Sequence, residues 1–185
     1  MRLKEIRIYP IKSIRGVSLQ QHEATAMGFD HDRIFMLQRV SDDKNMHVPH
    51  FPSMCLFTTE LSPAENPTKV LVRFGKDHVF DQEDKKLPTD EAVLEIPLIP
   101  DVNNLEKIDV NLHGAQTSAY TMPADMCKWF STRFGFEVRL NYIGASKRPV
   151  LGNLHPDAPR SYVGDPDPRT TINNTASPKI GRAHV

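Results

Sequence analysis

The feature that most constrains this chain is a series of short apolar-alternating segments, separated by turn residues, over its first ~120 positions. Ile6, Ile8 and Tyr9 form a first strand pattern that stops at Pro10. Residues 17–27 (VSLQQHEATAM) alternate loosely and end at Gly28. Residues 34–40 (IFMLQRV) read as a compact strand closed by the polar run SDDKN. Further strands are predicted over residues 54–61, 69–74, 91–96 and 108–112, the first two divided by SPAENP. Many short strands with turn signals between them predict a barrel or sandwich. A glycine-rich turn from strand to helix is missing, which excludes a dinucleotide-binding fold.

One helix interrupts this pattern, at residues 123–134 (PADMCKWFSTRF). Met126, Phe130 and Phe134 recur at i, i+4 and i+8 and so share one helical face. Pro123 suits a first helical turn and Gly135 a stop. Residues 137–143 (EVRLNYI) then alternate as one more strand. The expected fold is therefore mainly β with one packed helix, over residues 1–143. From Gly144 the texture changes to proline, glycine and charge without apolar periodicity. Residues 144–185 are expected to form an incomplete, loop-rich segment that packs poorly.

Lysine plus arginine equals aspartate plus glutamate, at 23 each. That balance, without an aromatic-basic stripe, argues against a nucleic-acid binder. Cys55 and Cys127 form no CxxC pair and no zinc spacing, and are expected as buried thiols in a reducing compartment. His31, His47, His50, His113 and His155 are scattered and form no HExxH element, so a histidine metal site is not expected. Membrane spans need about 20 apolar residues, and no stretch approaches that, so no transmembrane segment is expected. The N-terminus MRLKEIRIYPIKS lacks the apolar centre of a secretory signal.

Residues 8–33 (IYPIKSIRGVSLQQHEATAMGFDHDR) carry the most chemistry. Lys12 and Ser13 follow a strand end, and Gly16 permits a tight turn. Lysine supplies a compact positive charge, and serine a hydroxyl donor beside it. Arg33 can present a fork to phosphate, and Asp32 could hold that arginine in place. Such a set could grip a phosphate at a barrel rim. The same residues could equally be solvated turn charges and a surface ion pair worth little.

YPIKSIRG, followed by EATAMG and then DR-I-F, resembles the signature of the MOSC N-terminal β-barrel domain. The likeness covers about residues 4–143, with MPADMCKWFSTRFGFEVRL standing where that family places a helix and strand. The resemblance implies a domain that precedes a catalytic MOSC domain, as in mitochondrial amidoxime-reducing enzymes. It implies molybdopterin as cofactor, with Lys12 and Ser13 at the cofactor's phosphate end and Arg33 as a further contact. Arg15 matches a position where the family often has a basic residue.

The sequence also departs from the family. Its threonine-x-arginine-glutamine element is replaced by residues 46–52 (MHVPHFP), so a contact by that arginine is not carried over. Its molybdenum-ligating cysteine belongs to the catalytic domain, and neither Cys55 nor Cys127 matches it. No catalytic residue and no metal ligand is therefore expected in this chain, and residues 144–185 are expected to be a linker and the start of a MOSC domain. The parent would be a molybdenum-dependent oxidoreductase reducing N-hydroxylated compounds, served by an electron-transfer protein. One alternative is the C-terminal part of a molybdenum cofactor sulfurase, whose upstream pyridoxal-phosphate domain the preceding MRLKE does not supply. Another is a non-catalytic barrel binding an anion or a protein. Mitochondrial and cytoplasmic settings both fit these features.

Overall fold

The computed structural model describes residues 4–25, 28–75, 92–112, 115–144, 146–148 and 172–173. Strand β1 (Ile6–Ile8) pairs with β2 (Val17–Leu19), and β3 (Ala24–Thr25) with β4 (Gly28–Phe29). A five-stranded sheet combines β5 (Phe35–Arg39), β6 (Lys44–Asn45), β10 (Glu106–Leu112), β11 (Ala115–Thr121) and β12 (Val138–Tyr142). Its order is β10-β11-β12-β5-β6. A three-stranded sheet holds β7 (Phe57–Ser62), β8 (Lys69–Phe74) and β9 (Leu94–Pro97) in sequence order. Helix α1 (Ala124–Phe134) packs against β12 and β9. A short pair, β13 (Lys147–Arg148) with β14 (Ile172–Asn173), follows. These pairs are all antiparallel.

The fold is mainly β with one packed helix, and the curled sheets form a barrel-like wall around a common core. Phe35 and Leu37 of β5, Leu140 of β12, Phe57 of β7, Val70 of β8 and Ile96 of β9 all enter that core. Phe130 closes it from the helix and is fully buried; Met126 and Phe134 of the same face pack against it. Gly135 ends the helix in the left-handed region, at φ 75°, and its amide donates to the Ser131 carbonyl at 2.9 Å. Strand β5 is buried on both faces, because Met36 joins a second cluster with Val110, Leu112, Ala119 and Ile143. That burial explains its unbroken apolar run.

Three expectations need correction. Residues 54–56, expected as the start of a strand over 54–61, belong instead to a 3-10 turn over Pro52–Leu56, and β7 begins at Phe57. Pro52 in the first turn supplies the fixed φ that starts it. Residues 17–27 are not one strand: β2 pairs only the three residues of β1, and β3 turns back onto β4. Strand β11 lies outside the expected set, because its small and polar residues (AQTSAYT) carry no apolar period. Most of residues 144–185 lies outside the described residues, and so does the expectation that this segment packs poorly. No helix among the described residues is long and apolar enough to cross a membrane.

Candidate functional site

The two halves of the sequence motif meet in space. Ile11 and Phe35 form a parallel bridge, outside the antiparallel strands. The Lys12 amide donates to the Phe35 carbonyl at 2.9 Å, and the Phe35 amide to the Pro10 carbonyl at 3.0 Å. One step away, the Arg33 amide donates to the Tyr9 carbonyl at 2.7 Å. Residues 9–12 and 33–35 are thus laced together, and Lys12, Ser13 and Arg33 belong to one junction of strand ends.

The turn itself is pinned from below. Ile11 and Ile14 are both buried, and the Ile14 amide closes onto the Ile11 carbonyl at 3.3 Å. Lys12 and Ser13 sit half-buried between these anchors. Ser13 has φ 66° and Arg33 φ 56°, both in the left-handed region. For residues with a Cβ that region costs about 1–2 kcal/mol each, and such strain gathers at functional positions. Gly16 is required by close approach: a Cβ there would lie 2.5 Å from the Ile8 carbonyl oxygen and 2.8 Å from the Tyr9 ring.

Arg33 is held by two neighbours, Asp32 and Tyr9. Its guanidinium donates to the Asp32 carboxylate, and its Cζ lies 5.5 Å from the Tyr9 ring centroid. Asp32 is buried, and its other oxygen accepts from the Tyr9 amide at 2.7 Å. Burial pushes the Asp32 carboxyl above its usual range, against the opposing pull of Arg33 and the Tyr9 amide. A raised acid favours the fold while protonated. That stability is complete below the ordinary carboxylate range and is lost as pH rises through the raised value.

At neutral pH Asp32 therefore positions Arg33 at some expense to the fold. Asp32→Asn keeps an acceptor for the Tyr9 amide and removes the buried charge. It is expected to change unfolding free energy at neutral pH by less than ~1 kcal/mol, by urea denaturation. Wild type should gain on the variant as pH falls through the Asp32 titration. A loss above ~2 kcal/mol at neutral pH would show that the ion pair outweighs the burial.

Lys12 also faces a cleft of about 500 Å³, lined by Arg39, Lys44, Asn45, His47, His50 and Phe51 as well. Ser13 and Arg33 are not part of that lining. His47 and His50, scattered by sequence position, meet edge-on in the fold at 4.6 Å between ring centroids. Arg39 and Lys44 were not singled out either. The hairpin of β5 and β6 turns the chain at residues 40–43 and brings both cations beside Lys12, which their spacing in the sequence does not reveal. His113 and His155 lie outside the described residues.

The remaining sequence candidates sit apart. The Arg15 carbonyl accepts from the Thr59 hydroxyl at 2.6 Å, and the residue is exposed. Cys127 is a half-buried residue of the helix, where burial pushes its thiol up. Its Sγ receives the Leu140 amide and donates to the Met122 carbonyl, both at 3.4 Å. Cys55 lies in the 3-10 turn. Among the described residues, no group of three or more His, Cys, Asp or Glu is placed to hold a metal ion.

A comparison with protein families matches residues 1–137 to the MOSC N-terminal beta barrel domain. A 53-residue stretch is 36% identical to a molybdenum cofactor sulfurase of Caenorhabditis elegans. The likeness covers 29% of this chain and 7% of the sulfurase, so it spans a small part of that relative. The family match takes in the first turn, the Arg33 junction, both sheets up to β11 and the helix, and on that extent the chain belongs to the MOSC N-terminal β-barrel domain family.

Proposed function

We propose that this domain holds the phosphate end of molybdopterin through Lys12, Ser13 and Arg33, within a molybdenum-dependent oxidoreductase that reduces N-hydroxylated compounds. The observation that supports this is the backbone lacing of residues 9–12 to residues 33–35, which brings the main chain of Lys12, Ser13 and Arg33 to one junction of strand ends. Their side chains make a donor set that fits a phosphate: Lys and Arg offer only donors, and serine can donate beside them. The left-handed backbone at Ser13 and Arg33 supports the same reading. When bound, the cofactor would supply the redox chemistry at its metal, and an electron-transfer protein would serve the parent enzyme. The residues here would neutralise phosphate charge and fix orientation. Asp32 and Tyr9 would hold Arg33 in place for that contact.

Lys12→Ala and Arg33→Ala in the parent enzyme are each expected to weaken cofactor retention about 10- to 100-fold, the effect of losing one charged hydrogen bond. Retention is measured as molybdenum and pterin fluorescence remaining after gel filtration, with thermal unfolding as the check on folding. Unchanged retention in both variants overturns the assignment.

The likeness to the sulfurase favours a second reading, in which the domain is the C-terminal part of a molybdenum cofactor sulfurase. The same three residues would then grip the same phosphate. Sulfur transfer to the cofactor by the parent, without reduction of an N-hydroxylated substrate, would decide for it.

A further inference from the structure

Strand β10 stands at one edge of the five-stranded sheet, with β11 on one side and, among the described residues, no strand on the other. The Asn45 side chain donates to the Asn111 carbonyl from outside the β10–β11 pair, so Asn111 turns its backbone away from β11. In an antiparallel pair that direction alternates residue by residue. Asp109 and Lys107 therefore turn their backbone to the same open side. Among the described residues, their outward amides and carbonyls have no partner.

The side chains follow a matching alternation. Lys107 and Asp109 are exposed on the outer face, while Ile108 between them is half-buried against Val110 and its neighbours on the inner face. Among the described residues neither charge stands in an ion pair, and Asp109 accepts the Ser118 hydroxyl at 3.4 Å.

An open edge is a template for a further strand, and exposed charges ordinarily block it. Here the charges select the partner. A second β10 laid antiparallel about a two-fold axis must set outward residues against outward residues. An axis at Lys107 opposes lysine to lysine, and an axis at Asp109 opposes aspartate to aspartate. An axis at Ile108 sets Lys107 against Asp109 of the second copy, and the reverse, in two equal pairs. Opposite charges placed this way stabilise a strand pair, and like charges destabilise it. In that register each pair also exchanges both of its backbone hydrogen bonds. The two Ile108 side chains meet on the inner face.

We infer that the edge of β10 joins two copies of this chain, antiparallel about Ile108. The contact is one short strand, far below the size of a stable interface, so it holds weakly and responds to concentration. It uses none of Lys12, Ser13 and Arg33 and stands apart from the cofactor reading.

The test is sedimentation equilibrium and amide NMR of this chain, from dilute solution up to about 1 mM, where weak complexes form. Self-association is expected, with concentration-dependent shifts centred on residues 105–111 and weakening by added salt. Lys107→Glu and Asp109→Lys each set like charges across the axis twice, and each should weaken association at least about tenfold. The swapped variant Lys107→Asp, Asp109→Lys restores both opposed pairs and should associate as wild type does. The two single variants mixed in equal amounts should associate more tightly than either alone, since each then opposes the other's charges. Circular dichroism checks the fold of each variant; should one lose it, the wild-type shifts and salt response decide. Single variants that associate like wild type, or a folded swapped variant that stays monomeric, overturn the inference. So do shifts centred on the edges at β6 or β9, and a wild-type chain that stays monomeric at about 1 mM, even if β10 then takes up an unrelated extended peptide.

Discussion

Phe57→Ala is expected to lower the unfolding free energy by ~3–5 kcal/mol, the range for removing a fully buried aromatic ring. Phe57 is 0% exposed and opens β7, where it pairs in register with Phe74. Its ring centroid lies 4.8 Å from those of Phe74 and Phe134, 5.6 Å from Phe130 and 6.0 Å from Trp129. It therefore joins the three-stranded sheet to the helix. The walls left behind are rings on two separate elements, and neither can move in without dragging its own sheet or helix partners. Incomplete collapse is what raises the penalty above simple transfer. Phe57→Leu should lose less than the alanine variant, because much of the volume remains. Ile99→Ala, at a residue 78% exposed, should change stability by less than ~0.5 kcal/mol. Urea denaturation of the three variants checks the set; a loss below ~1 kcal/mol at Phe57 would show that sheet and helix do not share a core.

A chain ending at residue 137 is expected to lose cooperative unfolding altogether. The family match stops at that residue, one position before β12. Yet β12 lies in the middle of the five-stranded sheet, paired with β5 along five residues and with β11 at two. Val138 and Leu140 are buried in the main core, each contributing about 1.5–3 kcal/mol by burial. The Met122 amide donates to the Leu140 carbonyl at 2.8 Å, and the helix packs on the same strand. Without β12 the apolar strand β5 would present an open edge, a template for association between chains. Circular dichroism against temperature, on chains ending at 137 and at 148, is the measurement. A sharp transition at the same midpoint in both would overturn the expectation.

Some of this architecture is legible in the sequence and some is not, for identifiable reasons. The helix could be read because Met126, Phe130 and Phe134 repeat on one face and Gly135 closes it. Strand β5 could be read because burial on both faces leaves only apolar residues along most of its length. Strand β11 could not, since Thr117 and Ala119 fill its buried positions with small side chains; its stability comes from pairing with β10 along seven residues. Residues 54–56 read as the start of a strand because the apolar run Met54–Phe57 continues into β7, and Pro52 two residues earlier marks the turn only in its context. At the site, Lys12, Ser13 and Arg33 stand out by residue type and by adjacency to strand ends. Arg39, Lys44, His47 and His50 do not, because a hairpin and a following turn bring them to Lys12, and neither leaves a mark on their spacing.

The left-handed backbone at Ser13 and Arg33 has an evolutionary consequence. Glycine occupies that region without penalty, so at both positions the fold and the proposed chemistry favour different residues. A descendant freed from holding an anion would drift toward glycine there and fold at least as comfortably. Under the proposed role, serine and arginine are kept at these positions by selection for what their side chains do. Across related chains, glycine at either place would therefore mark a lineage that has abandoned the site while keeping the barrel.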